Sequence, residues 1–273
     1  MTYLEPSQQI ALGITEYLVN NGYTPTNGMN VSELYAYIKD LALLSESQMK
    51  QDIFVQNILG YKQNGYFVEF GATDGVAYSN TLLLEKQFGW AGVVSEPAKA
   101  YQTDLAANRS CVVETRCVWS ESNQMLQFNE TTDFYLSTLN QFTNYDSFAK
   151  DRVTLEMYDV TTISLNDLLA AHNAPTDVDY ISVDTKGGEI DILLTFDFAK
   201  YNVSVFTVNH DFTPERQQIY DLMLAKGYVR VANEVSFMDD WYIKPSLLGT
   251  LGNTDNPNFN DTQPPVLTFN GIL

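Results

Sequence analysis

Short apolar runs begin at Tyr66 and alternate with stretches of helical period, the pattern that βαβ units and a parallel sheet produce. The runs predict strands near 66–71, 91–96, 111–118, 158–163, 178–184 and 203–209, with two short ones at 229–233 and 241–244. Helices are predicted near 78–88, 164–172, 188–195 and 214–226. This ordering fits an α/β fold with a doubly wound, seven-stranded, mostly parallel sheet. Before Tyr66 the period is helical: Ile10, Ile14, Tyr17 and Leu18 recur on one stripe, and Leu34, Tyr37, Ile38 and Leu41 on another. Residues 1–62 are therefore expected to form two or three helices packed as a cap, with NNGYTPTNG as a turn and Asn30 or Ser32 as the second N-cap.

The main domain is expected over 63–245. Within it, about 119–157 is polar and without clean period, as expected of a functional loop, lid or addition. The tail 246–273 is rich in Asn, Asp, Gly and Pro and is expected to be irregular.

A chain of 273 residues holds one such domain and a modest accessory segment. Its 15 basic and 34 acidic residues leave a net charge of −19, a field that repels phosphate backbones and argues against a nucleic-acid partner. No apolar run is long enough to span a membrane, and the first residues lack a basic, then apolar, leader, so a soluble, cytoplasmic protein is expected. Cys111 and Cys117 lie in SCVVETRCVW, which reads as one strand. Six strand residues span roughly 20 Å, against a Cα separation of at most about 7 Å in a disulfide, so both are expected as free thiols.

The run YFVEFGATDGVAYSNT ends a strand in Glu69, Gly71, Ala72, Asp74 and Gly75 and then opens a helix. Glycines there let a ligand approach backbone at the carboxyl edge of the sheet, although a purely structural tight turn reads the same way. Thr73 stands where a dinucleotide fingerprint has its second glycine, and no GK[ST] ending makes it a P-loop. Glu96 in GVVSEP ends the next strand, 27 residues after Glu69, where a carboxylate can accept both hydroxyls of a ribose. In DYISVDTKGGEIDIL, a buried strand delivers Asp184 to the same edge, with Lys186 and Glu189 following. A carboxylate or His there can act as general base towards a hydroxyl, which nominates Asp184 and, from the neighbouring strand, His210. His210 reads equally as a hydrogen-bonding residue of structural use, and His172 as a solvated one.

Taken in order, VEFGATDG with SNT, SEP, CVWS, TISLNDLL, YISVDTKGGEIDIL, VNH, KGY and DDWYIKP resemble the FkbM-like methyltransferases over about residues 64–245. The resemblance implies a Rossmann-like class I methyltransferase that uses S-adenosylmethionine to methylate a hydroxyl of a sugar, glycan or related small metabolite. It implies donor contacts from Glu69, Gly71, Ala72, Asp74, Gly75, Ser79, Asn80, Glu96, Pro97 and Asp184, with Cys117 and Val118 flanking the adenine. Asp184, His210, Glu189 and Lys186 become the catalytic candidates, with no metal. Two positions depart from the pattern: relatives usually carry an acid in place of Lys186 and often Glu in place of Asn209. Lys186 then either positions an anionic acceptor or marks weakened transfer, and these positions are poorly equipped to hold a divalent cation.

Phe134, Tyr135, Phe142 and Tyr145 in the polar stretch offer an acceptor platform, or else pack in the core. The competing reading is a methyltransferase fold kept as a binding or assembly module, and a homo-oligomer stays open under either. Methylation of nucleic acid or protein amines is disfavoured, since no [DN]-P-P-[YF] motif follows the fourth core strand.

Overall fold

The computed structural model describes residues 4–23 and 28–248. Three helices come first: α1 (Pro6–Asn20), α2 (Val31–Ala42) and α3 (Gln51–Ile58). Asn30 caps α2, its side chain accepting the Glu33 N–H while Glu33 accepts the Asn30 N–H, so two end donors that helix geometry orphans are satisfied reciprocally. All eight residues of α3 are buried, and Phe54 stacks on Trp241 of the sheet at 4.3 Å. Ile14, Leu18, Leu34 and Ile38 share one apolar cluster with Phe67, Tyr180 and Val205. The expected cap is thus a helical layer lying on one face of the sheet.

The sheet contains β1 (Tyr66–Phe70), β2 (Ala91–Ser95) and β3 (Val112–Glu114). A second, smaller sheet follows from β4 (Cys117–Trp119), β5 (Met125–Thr131), β6 (Thr138–Leu139) and β7 (Thr154–Ser164), before β8 (Asp177–Val183), β9 (Asn202–Asn209), β10 (Val229–Val231) and β11 (Asp239–Ile243) rejoin the first. The seven-stranded order is β10-β11-β9-β8-β1-β2-β3, with β11 antiparallel to both neighbours and the rest parallel. Helices α4 (Leu82–Phe88), α5 (Lys99–Asn108), α6 (Leu165–Ala171), α7 (Glu189–Thr195) and α8 (Glu215–Ala225) complete the fold. Alternation along β1 sends Phe67 to the helical layer's cluster and Val68 to a second cluster with Leu169, Ile190, Leu193 and Ile219. The chain runs outward from β1 through β2 to β3 and later re-enters beside β1 through β8, so the order reverses between β1 and β8. Crevices at such a point, beyond the carboxyl ends of the strands, are where open α/β sheets bind ligands.

Several expectations change. The run 111–118 is two strands in two sheets: Glu114 Oε1 accepts the N–H groups of Thr115 and Arg116, and the chain turns there. Cys111 and Cys117 are free, as expected, although the single strand behind that expectation is broken. The stretch 119–157 is largely ordered: it builds β5, β6 and the start of β7, and the strand expected at 158–163 belongs to this smaller sheet. Helix α5 has too weak a stripe to be read, burying only Tyr101 and Leu105. Residues 24–27 of the first turn and 249–273 of the tail lie outside the described residues. Among the described residues no helix is long and apolar enough to cross a membrane.

Candidate functional site

The turn after β1 is folded by its own polar groups. Glu69 accepts from the Asn80 N–H at 2.6 Å, the Ser79 hydroxyl at 2.9 Å and the Thr81 hydroxyl at 2.5 Å. Arg109, at the end of α5, donates to Glu69 at 3.3 Å, to Glu85 at 2.7 Å, to Ser79 Oγ at 3.1 Å and to Thr81 Oγ1 at 2.8 Å. A buried guanidinium is tolerated only when its donors are used, and here they clamp the loop from below. Burial pushes Glu85 upward, but hydrogen bonds from Lys86, Arg109 and the Ser110 N–H outweigh it and hold the carboxyl at about 2. Asp74 accepts the N–H groups of Val76 and Ala77, each at 2.9 Å. Gly71 has φ +79°, and a Cβ there would lie 1.8 Å from the Asp184 carbonyl oxygen. Close approach of β1 to β8, as well as any ligand, demands this glycine.

Glu96 follows β2 and accepts from the Thr73 N–H at 3.0 Å and the Ala98 N–H at 2.8 Å, which ties the tip of β2 to the first loop. Burial pushes its carboxyl up to about 7, and the nearby charges of Asp184 and Glu130 act in the same direction.

Beyond β8, Lys186 takes a left-handed φ of +57°. Its ammonium lies 3.0 Å from Asp184 and 3.3 Å from Asp211. Burial disfavours this cation, yet the two carboxylates raise its pKa on balance, so it stays protonated. Glu189 Oε1 accepts from the Thr185 N–H, the Thr185 hydroxyl and the Gly187 N–H, at 2.9, 2.9 and 3.1 Å. Burial raises Glu189 to about 7. It anchors the loop after β8.

These ends enclose a cleft with about 1240 Å³ of empty space, counting its open mouth. Glu69, Gly71, Asn80, Glu96, Pro97, Cys117, Val118, Asp184 and Lys186 line it. Of the other expected contacts, Ala72, Asp74, Gly75 and Ser79 form the body of the first loop and are not part of the wall. Glu189 and His210 are also off the wall. Parallel pairing of Val183 with Val208 sets Asn209 level with Asp184, and His210 turns away. His210 Nδ1 accepts the Phe212 N–H at 3.0 Å, and Nε2 stands 3.8 Å from Asp240, which also pairs with Arg216 and Arg230. Burial lowers its pKa to about 4. His210 is therefore corrected from base candidate to a neutral group in a buried Arg–Asp cluster. His172, expected to be solvated, pairs with Glu114 at 3.0 Å.

The aromatic residues divide. Phe134 and Tyr135 line the cleft, joined by Phe128, Phe148 and Tyr78. Phe142 packs on Trp119 and Tyr145 at 5.8 and 5.6 Å and against Gly187, so it supports the wall from behind. Sequence reasoning missed Arg109, Asp211 and Gln48. Asp211 directly follows the VNH run and was within reach; Arg109 ends a helix with no readable stripe, and Gln48 lies far outside the motifs.

A family model described as the methyltransferase FkbM domain matches residues 69–241. Among solved structures, one described as the delta-N METTL16 MTase domain is similar at 9% identity, covering 87% of this chain and 95% of that chain with a TM-score of 0.35. No curated protein matches the chain.

Proposed function

This chain belongs to the methyltransferase FkbM domain family, and from that premise we propose that it moves the methyl group of S-adenosylmethionine to a hydroxyl of a sugar, glycan or related small metabolite. The observation that carries the donor assignment is Glu96, whose buried carboxylate forms part of the cleft wall while two backbone N–H groups fix its orientation. Such a group suits the paired hydroxyls of a ribose. Gly71 and Asn80 would hold the donor's amino-acid end, and Cys117 and Val118 the adenine side. When bound, the donor supplies an electrophilic methyl group on a sulfonium centre.

The chain's own contribution is orientation and proton handling. Asp184 is the carboxylate on the wall to which an acceptor hydroxyl can pass its proton, and Lys186 holds that carboxylate in place. With Lys186 already paired to two carboxylates, an anionic acceptor gains little, which favours a neutral one. Phe134 and Tyr135 supply faces on which a sugar ring stacks.

The test is label transfer from methyl-labelled S-adenosylmethionine to a panel of neutral glycans, with calorimetric binding of the donor in parallel. Saturable donor binding that Glu96→Ala abolishes, and transfer that Asp184→Ala abolishes while sparing binding, are the expected results. Absence of donor binding by the unmutated protein sinks the proposal. The Lys186–Asp184 ion pair also favours a second reading, a donor-binding module without turnover; binding intact and label transfer absent across the panel would support it.

A further inference from the structure

The segment from Ser45 to Gln51 precedes the family match, yet it reaches the cleft. Ser47 is buried, and its single hydroxyl proton is shared between Asn80 Oδ1 at 2.7 Å and Gln51 Oε1, while its Oγ accepts the Gln51 N–H at 2.9 Å. Its backbone forms a parallel bridge with Tyr78. Gln51 Nε2 donates to Asp239 at 2.7 Å, which fastens the segment to the sheet. On the other side, Asn80 donates to Ser182 of β8 at 2.9 Å.

Tyr78 needs such support. It has φ +61°, a region unfavourable for a side chain of this size, and it is 52% exposed while its ring meets Tyr135 edge-on at 5.1 Å. A strained, exposed aromatic keeps one position only where neighbouring contacts over-determine its backbone. Glu69 and Arg109 hold the loop from beneath, and Ser182 holds it from β8; Ser47 is the tether from the outer side. Asn80 and Tyr78 both line the cleft, as does Gln48 next to the tether.

We propose that Ser47 is a positioning residue for the methyl-donor loop, and that residues 45–51 are a working part of the donor site. The inference rests on reading this cleft as the donor site. Loss of the hydroxyl removes the outer tether of Asn80, whose bonds to Glu69 and Ser182 remain, and loosens the segment whose backbone bridges Tyr78, so the donor meets a loop that it must partly order itself.

The test measures S-adenosylhomocysteine binding by calorimetry, and hydrogen exchange without and with ligand, on the full chain. Ser47→Ala is expected to weaken binding about tenfold, the worth of one well-placed hydrogen bond, and to speed exchange within 72–81. Thr15→Ala serves as control: Thr15 donates to the Ala11 carbonyl inside α1 and accepts from Asn57 near the far end of α3, so its loss loosens the same helical layer away from residues 45–51 and the loop. It should bind as the unmutated protein does. In the unmutated protein, ligand is expected to protect 45–51 together with 72–81, a result independent of how any variant folds. Equal affinity for Ser47→Ala and the unmutated protein, equal weakening by Thr15→Ala, or no protection at 45–51 each overturns the proposal while leaving the donor site standing if Glu96→Ala abolishes binding. No binding by the unmutated protein overturns both.

Discussion

Lys186 sets its ammonium 3.0 Å from the carboxylate of Asp184 on the cleft wall, and Asp211 completes the contact at 3.3 Å. Burial pushes Asp211 upward while Lys186 is the charge that draws it back. Lys186→Met leaves the buried Asp211 carboxylate without its cation, which costs roughly 3 kcal/mol. Pairing it with Asp211→Asn removes the stranded charge as well, so the double variant should lose less than the single one. Urea denaturation at pH 8 measures both, and an equal loss would show that the ion pair is not what Lys186 contributes.

Stability should fall as the pH rises from about 5 to about 7.5. Burial is the largest cause that places Asp52, Glu96, Glu189 and Asp239 each at about 7. An acid raised on folding binds its proton more tightly in the native state; its contribution is complete below an unfolded value of about 4 and is lost as pH climbs through the folded one. His210, lowered to about 4 by burial, works oppositely: its contribution is complete above about 6.5 and is lost as pH falls. Four acids outweigh one histidine. Glu85 and Glu114, held at about 2 by their hydrogen-bonding partners against burial, withdraw their support only below about pH 4. A melting temperature highest near pH 5 is expected from a thermal scan across pH; a rise from 5 to 7 would mean that the buried acids are already ionised at 5.

Two glycines with similar φ should respond very differently to alanine. Gly71 has φ +79° with the Asp184 carbonyl oxygen in the way of any Cβ, whereas Gly227 has φ +86° with open space around it. Gly227→Ala is expected to cost about 1 kcal/mol for the left-handed backbone alone. Gly71→Ala must also part β1 from β8, at about 4 kcal/mol or more, and should lose donor binding with it. Denaturation midpoints of the two variants decide the matter.

Arg109→Lys should not be conservative. One ammonium cannot span Glu69, Glu85, Ser79 and Thr81 as the guanidinium does, so about 2–3 kcal/mol of stability should go, together with protection of the amides of residues 72–81. Retention of both would show that the loop holds without the clamp.

Much of this was legible in the chain. Alternating apolar runs marked most of the sheet, because a buried parallel strand needs side chains on both faces, and the spacing from Glu69 to Glu96 to Asp184 marked one sheet edge. The small sheet was not legible: β5 and β7 carry Met125, Leu155 and Met157 on exposed positions, which blurs the two-residue period. Nor was the break at Glu114, where two short strands and a turn of β-like composition read as one.

What the sequence determined by itself is local: apolar period, glycine placement, and which acids end which strands, all set by neighbours a few residues away. Tertiary structure decided which of those acids meet the cleft. Glu69 is engaged in holding its loop by Arg109, 40 residues on. Lys186 is fixed by Asp211 across the sheet edge, and Asp239 is held by Gln51, 188 residues away. A carboxylate's direction and charge follow from the donors and burial around it, and in a doubly wound sheet those come from strands adjacent in space and remote in sequence.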